Sequence, residues 1–461
     1  MANTITYREL LKNREYVKLL FTNLVDRFGD SVDAIAFTWL TYQLTKSAAW
    51  SALIYGLNVL PNIVAQPFFG ALVEKMDKKK VIIVTHLIRG VVISAFAVLY
   101  LTGKVNPYLL AAFTLLITTI ESLNLPASTA FTPSVIEIDQ LSTAMSLSSS
   151  ISKAVALAGT GIAGIIIAQL GMHAAMLIDA ATFFIAALGT FYIHTLAELN
   201  RQHKTSKSDN LQDNVIEKPH TNKAQQLHTK NNKKSLQTSK AQPVKESYIS
   251  LLKGGAKYVI QNKIILNYCL VAVLLNFLLV PLNSLLAPLV NDTYQLGSEL
   301  LSVISIASSA GSIIGSIFVP KLMKHFNARH ILIIFGFVIG VFTYAISLGN
   351  LINSHIFVCY ILADGCTFMI SMAAAIICGM LSIEFVTSVD QAYLARAASI
   401  FNASATAAMP ISSFIVSGLV IHYSASFMIK VSGIMAILLF TTILISKLEF
   451  EIKKEESTNA A

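Results

Sequence analysis

Asp26, Asp30 and Asp33 recur at i, i+4 and i+7 within an otherwise largely apolar run, so they form one stripe along a helix face. Glu121, Asp179 and Asp364 interrupt three further apolar runs. A charge at the centre of a membrane helix costs about 2.5–3.5 kcal/mol, so retaining several implies chemistry. A carboxyl group in a dry cavity can bind a proton on one side of a membrane and release it on the other, or hold a cation. Asp33 and Glu121 have no base within a helical turn and are the leading proton or cation sites. Asp33 lies about 24 Å along a helix entered at Val17, with Asp30 nearer the middle.

Each acid also has a plainer reading. Asp30 can pair with Arg27 at i−3, Asp26 can sit near the headgroups, and Asp364, just before Gly365, can be structural. Asp179 reads as a helix-packing residue. Arg89 and Lys153 are further charge partners for the acids, whereas Lys430 can snorkel outward. His86, three residues before Arg89, titrates near neutrality but reads as structural. Asn276 and Asn283 lie about two helical turns apart on one face and can either hydrogen-bond a substrate or pack.

The elements that must position these residues are membrane helices. Hydrophobic residues make up 54% of the 461, charged residues only 13%, and mean hydropathy is +0.64. A soluble domain carries about a quarter charged residues, so this chain has too little polar surface to be solvated in water. Twelve spans are predicted, near 17–42, 49–73, 81–102, 107–130, 142–170, 172–196, 264–290, 299–323, 330–350, 354–383, 392–422 and 425–447. This is an all-α membrane protein of two pseudo-symmetric six-helix bundles: 1–196, and 248–447, which opens with an amphipathic interfacial helix. Between them, 197–247 is a basic, polar linker whose composition predicts disorder, and 448–461 is a tail.

With the N-terminus in the cytoplasm, 28 of the 34 Lys and Arg fall in cytoplasmic segments and only Lys46 and Lys104 on the opposite side. The positive-inside rule therefore puts both termini and the linker in the cytoplasm, and the protein in the plasma or inner membrane. The halves repeat: Asp139-Gln140 corresponds to Asp390-Gln391 at an offset that also pairs Ala144 with Ala395 and Ser148 with Ser399. Six spans, a linker and six spans with matching loops is a layout of two related halves. The four cysteines, Cys269, Cys359, Cys366 and Cys378, lie in apolar runs without metal spacing and read as small core residues.

The segment from Gly70 to Lys80 resembles the signature loop of the major facilitator superfamily, roughly G-x-L-x-D-R-x-G-R-K. Gly70, Leu72, Glu74, Lys75, Lys78 and Lys79 fit it, while Asp77 replaces the second glycine. Within that superfamily the chain is similar to the macrolide-efflux branch of drug:proton antiporters, which includes siderophore exporters. The likeness lies in Phe28-Gly29-Asp30 with Trp39 to Thr45, in Pro126-Ala127 and Pro133 before Gln140-Leu141, and in Gly254 and Tyr258 leading to Asn276-Phe277 and Pro281. The exporter pattern G-P-x-x-G in span five keeps Gly159, Gly161 and Gly164 but no proline. The resemblance implies that spans one, four, seven and ten line a central cavity, and that the acid–base loop gates the inward helix ends.

The expectation is a monomeric secondary transporter that exports an amphipathic small molecule, drug or macrolide-like, by proton-coupled alternating access, with drug resistance as its readout. A siderophore or metabolite exporter, an importer, and a non-transporting scaffold or receptor are the alternatives. The partners are a small-molecule substrate, the proton and the lipid bilayer. No Walker loop and no Ser-His-Asp arrangement is present, so neither an enzyme nor a self-contained ATP-driven pump is expected, nor a cofactor, a metal or nucleic acid. Replacing residues 203–243 with a shorter polar linker should leave activity intact. Lost transport with normal membrane insertion would make this segment a docking element.

Overall fold

The computed structural model describes residues 7–196, 198, 257–351, 355–389 and 394–446. Most of the 197–247 linker, the start of the interfacial helix and the 448–461 tail lie outside the described residues. In chain order the long helices are α1 (Arg14–Thr45), α2 (Ala48–Val64, carried past a break at Ala65 by Gln66–Glu74), α3 (Lys78–Leu101), α4 (Pro107–Phe131), α5 (Ile138–Leu170) and α6 (Met172–Phe191). The second half holds α7 (Lys263–Ser284), α8 (Ser298–His325), α9 (Ala328–Ile346), α10 (Ile356–Ser388), α11 (Leu394–Leu419) and α12 (Ala425–Ile445).

Local chemistry sets the helix ends. The Asn13 side chain accepts from the Glu15 and Tyr16 amides to start α1, and Asn106, ahead of Pro107, accepts from Leu109 to start α4. Asp77 opens α3 by accepting from the Lys80 amide. The break in α2 falls between Pro61 and Pro67, neither of which has an amide proton to donate. Ten helices of the described residues are long and apolar enough to cross a membrane. The two that fall short explain themselves: α1 carries the acid stripe, and α2 is cut into shorter pieces.

Packing repeats between the halves. α1 lies against α5 and α6, as α7 lies against α11 and α12. α3 packs on α4 and α6, as α9 packs on α10 and α12, and α2 meets α4 as α8 meets α10. The halves meet through α2 with α11 and α5 with α8, two contacts that exchange under the same pseudo-twofold. Ser413 and Ser417 of α11 donate to the carbonyls of Ala52 and Ala49 at the start of α2, and Tyr42 at the end of α1 donates to Asp292. One hydrophobic core at this end draws on both halves, including Trp39 and Ile54 with Leu300 and Ile304. Away from it the cores separate, one built on Tyr16 and Phe131 of the first half, another on Tyr268 and Phe440 of the second. Among the described residues the halves are thus joined at the end where α2 begins and parted where α2 finishes.

Glycines make the joined end possible. A Cβ on Gly164 of α5 would lie 2.0 Å from Ser302 Oγ and 3.0 Å from the Ser298 carbonyl of α8. Gly311 and Gly315 of α8, one turn apart, admit the α10 backbone at Phe368 and Met372 in the same way. Gly70 has nothing within 4 Å, so its close helix approach is not realised in this conformation. Gly164→Leu should therefore drive the joined end apart, seen as a longer distance between spin labels at Lys46 and Ser298. Gly70→Leu should leave that distance as it is. An unchanged distance in Gly164→Leu would show that α5 and α8 do not hold the halves together.

Candidate functional site

The acid stripe of α1 faces α3, α4 and α6, and Arg89 of α3 is its counter-charge. Arg89 is 3% exposed. Its Nη2 donates to Asp30 Oδ1 at 2.8 Å, while Nη1 lies 4.0 Å from Asp26 Oδ1. The guanidinium rests 4.0 Å from the centre of the Phe183 ring of α6, a cation–π contact in a dry setting. His86, one turn before Arg89, places Nδ1 3.4 Å from Asp26 Oδ1 and stacks on the same ring. Asp179 of α6 is fully buried, and among the described residues neither carboxylate oxygen has a hydrogen-bond partner. It stands across from Gly29, where a Cβ would meet Asp179 Oδ1 at 2.9 Å and Thr182 Oγ1 at 2.0 Å. Removing one member of such a buried group exposes the full desolvation penalty of the others.

In front of this group lies a cavity of about 310 Å³. Asp30, Asp33, Glu121, Arg27 and Arg89 supply its charge, and Asn283 of α7 enters from the other half. Asp33 is within electrostatic reach of Arg89, Asp30 and Glu121, yet neither Asp33 nor Glu121 makes a hydrogen bond or ion pair among the described residues. Three carboxyls thus face two guanidinium groups, one of which is already held by Asp30. A second cavity of about 510 Å³ lies between α7, α8 and α10, and Asn283 belongs to its wall too.

Residues 19–389 match the Major Facilitator Superfamily. The chain belongs to this family. It is similar to an uncharacterized MFS-type transporter, YkuC of Bacillus subtilis, at 21% identity over 73% of this chain and 72% of that protein. The multidrug efflux pump Tap of Mycobacterium tuberculosis is 24% identical over 43% of this chain, and the match spans 48% of Tap. The chain likewise matches about half the length of YfiS, another MFS-type transporter of B. subtilis, at 25% identity. Among solved structures, the nucleoside transporter NupG superposes with a TM-score of 0.67 at 13% identity, covering 94% of this chain and all of NupG. A bacterial homologue of the iron transporter ferroportin, in an inward-facing state, gives 0.64 at 14% over 94% of this chain and 99% of that one. At such identities these structures establish the fold. The protein is a multi-pass membrane transporter and not an enzyme.

In this Major Facilitator fold, Asp30, Asp33, Glu121, Arg27, Arg89 and Asn283 come together at one cavity. Arg89, not Arg27, is the partner of Asp30, and Asp26 points inward to His86 and Arg89. Lys153 is exposed on α5 and lines neither cavity. Asn276 turns its amide back to the Ala272 carbonyl of its own helix, and Pro281 separates it from Asn283. Asp364 lies in neither cavity wall, with Oδ1 buried and without a hydrogen-bond partner among the described residues.

The signature loop is at the parted end. Lys75 and Asp77 are exposed, Lys79 lies 4.0 Å from Glu198 and 6.0 Å from the Phe191 ring, and Lys80 lies 3.9 Å from Asp77. A hydrogen bond from the Thr195 amide holds the Glu198 carboxyl below its ordinary range, so it stays charged beside Lys79. The Glu74 side chain is outside the described residues. In the second half Arg329 plays the part of Lys79, donating to the Ile443, Leu444 and Ser446 carbonyls at the end of α12. No contact of this loop with the other half is needed while the ends are parted.

Uncharged polar residues in the cavity walls escaped the search for charge. Ser51, Tyr55 and Asn58 of α2, and Thr114 and Thr118 leading up to the already named Glu121 of α4, repeat the i, i+4, i+7 spacing of the aspartates. Polar stripes of any kind on apolar helices would have found them. Arg89→Ala should leave Asp26, Asp30 and Asp179 uncompensated and destabilise the folded protein by about 3 kcal/mol. Adding Asp30→Asn should recover part of the loss in thermal unfolding in nanodiscs. Equal stability of the wild type and Arg89→Ala would show that the guanidinium is not structural.

Proposed function

We propose that this transporter exports a neutral or cationic amphipathic small molecule by proton-coupled alternating access. The observation that carries this reading is the pair Asp33 and Glu121. Both line the cavity and, among the described residues, both lack a hydrogen bond or ion pair, while the Arg89 guanidinium is engaged by Asp30. Such carboxyls can exchange a proton for a positively charged group of a substrate, the competition that antiport requires. The Lys and Arg distribution supports cytoplasmic termini in a plasma or inner membrane, so the parted end with its signature loop is the cytoplasmic one. In that orientation the cavity loads from the cell interior. The two bundles, 1–196 and 248–447, rock about the site, and the loop lysines stabilise the opposite state once the parted ends meet. The likeness to a multidrug efflux pump agrees with export.

A siderophore or metabolite exporter is the second reading, favoured by the exposed Arg27 at the cavity wall, which an anionic group could reach. Inverted membrane vesicles separate the two. A pH gradient should drive uptake of lipophilic cationic drugs, and these should compete better than carboxylate or catecholate chelators. Asp33→Asn and Glu121→Gln should each lower that uptake about tenfold, an effect of about 1.4 kcal/mol, with membrane insertion unchanged. Normal pH-driven rates in both variants would remove the coupling assignment. Loss of chelator secretion in a deletion strain, with drug sensitivity unchanged, would favour the second reading.

A further inference from the structure

The two cavities that share Asn283 differ in chemistry. The first holds the site's charges; the second, between α7, α8 and α10, has no charged residue in its wall among the described residues. Beside the Asn283 carboxamide its polar groups are mainly hydroxyls, from Ser305, Ser308, Ser309 and Ser312 of α8 and Thr367 and Ser371 of α10. Between them stand Leu279, Leu282, Ile304 and Ile370. Ser305 and Thr367 satisfy themselves on the Leu301 and Ala363 carbonyls of their own helices, and Ser308 and Ser371 bond each other across the helix pair at 2.7 Å. The side-chain hydroxyls of Ser309 and Ser312 make no hydrogen bond among the described residues, so they can still donate and accept.

This wall discriminates by charge. An ionised group brought into it would lose its hydration and meet only neutral dipoles, a penalty that hydroxyls at fixed positions repay poorly. A group with several uncharged oxygens on an aliphatic frame meets a matched surface: its C–H faces rest on leucine and isoleucine, and its oxygens on serine and threonine. We propose that this second-half cavity seats an uncharged, polyoxygenated aliphatic portion of the transported molecule, a glycosyl-like or polyol-like group. The inference rests on the reading of the protein as an exporter of amphiphiles. It divides the substrate, with the oxygenated body in the second half and any amine beside Asp33 and Glu121 in the first.

The chain carries its own reporter for this site. Cys269, Cys359 and Cys366 are buried, whereas Cys378 is exposed and lies in the cavity wall. The sequence-based reading of all four cysteines as core residues therefore holds for three and is corrected at the fourth, where α10 turns its face to the cavity. In the full-length protein in lipid nanodiscs without a pH gradient, N-ethylmaleimide should alkylate Cys378 ahead of the other three, followed by mass spectrometry.

Octyl glucoside should slow Cys378 alkylation at least about threefold when roughly two-thirds of the sites are filled. Octyl sulfate, with the same chain and a charged head, should not. Ser309→Ala with Ser312→Ala should abolish the protection, and Asp33→Asn should preserve it, because the coupling acids belong to the other cavity. Equal protection by both probes would reduce the site to an alkyl-chain contact and overturn the proposal. So would protection that survives loss of both serines, no protection by the glucoside, or a Cys378 no more reactive than Cys269. Failure here with intact pH-driven drug transport would leave the exporter reading standing. Protection by the glucoside in a protein that moves nothing down a pH gradient would do the reverse.

Discussion

A guanidinium buried in the apolar interior is the constraint around which the first half is arranged. Arg89 cannot shed its charge, so the fold must bring carboxylates and an aromatic face to it. The α1 stripe supplies Asp30 and Asp26, and α6 supplies Phe183 and the close approach at Gly29. Three helices are thereby locked in rotation about their axes. The orientation that points Asp30 at Arg89 also leaves Asp33, one turn further along, facing the cavity with no hydrogen bond or ion pair among the described residues.

Among the described residues the second half buries no such guanidinium, and its helices pack by backbone contact instead. Gly311 and Gly315 let α8 and α10 touch main chain to main chain, and Gly340 and Gly433 do so for α9 and α12. Without a hydrophobic driving force between helices in lipid, close van der Waals contact and interhelical hydrogen bonds must hold them. The same close approach sets Ser308 of α8 against Ser371 of α10 and leaves a wall rich in hydroxyls. One fold, repeated twice, thus yields a charged chamber and a neutral one joined at Asn283.

The joined end is built from small residues and hydroxyls rather than ion pairs. Ser413, Ser417 and the glycines of α5 make contacts that can be broken without stranding a buried charge. That is the property required of an interface that opens and closes. The charged loop at the far end is held within its own half, Lys79 by Glu198 and Phe191, Arg329 by the carbonyls of α12. Nothing about it has to be dismantled before the parted ends approach.

Hydropathy alone gave the all-helical membrane fold, because lipid admits only helices or closed barrels and the apolar runs have helical length. The signature loop and the repeat gave the family and its two related halves, and the i, i+4, i+7 spacing put the three aspartates on one face. Partners could not be read the same way. Arg27 is near Asp30 in sequence, but in the fold Arg89, from another helix, takes the bond, since rotation about the helix axis is decided by all neighbours together. Lys153 and Asn276 have the right chemistry but the wrong rotation, while Tyr55, Asn58 and the α8 serines reach the cavities without a charge to announce them. Composition makes Cys378 indistinguishable from the three buried cysteines; which face of α10 meets the cavity is a fact of packing, because one residue's step turns a side chain about 100° around the helix.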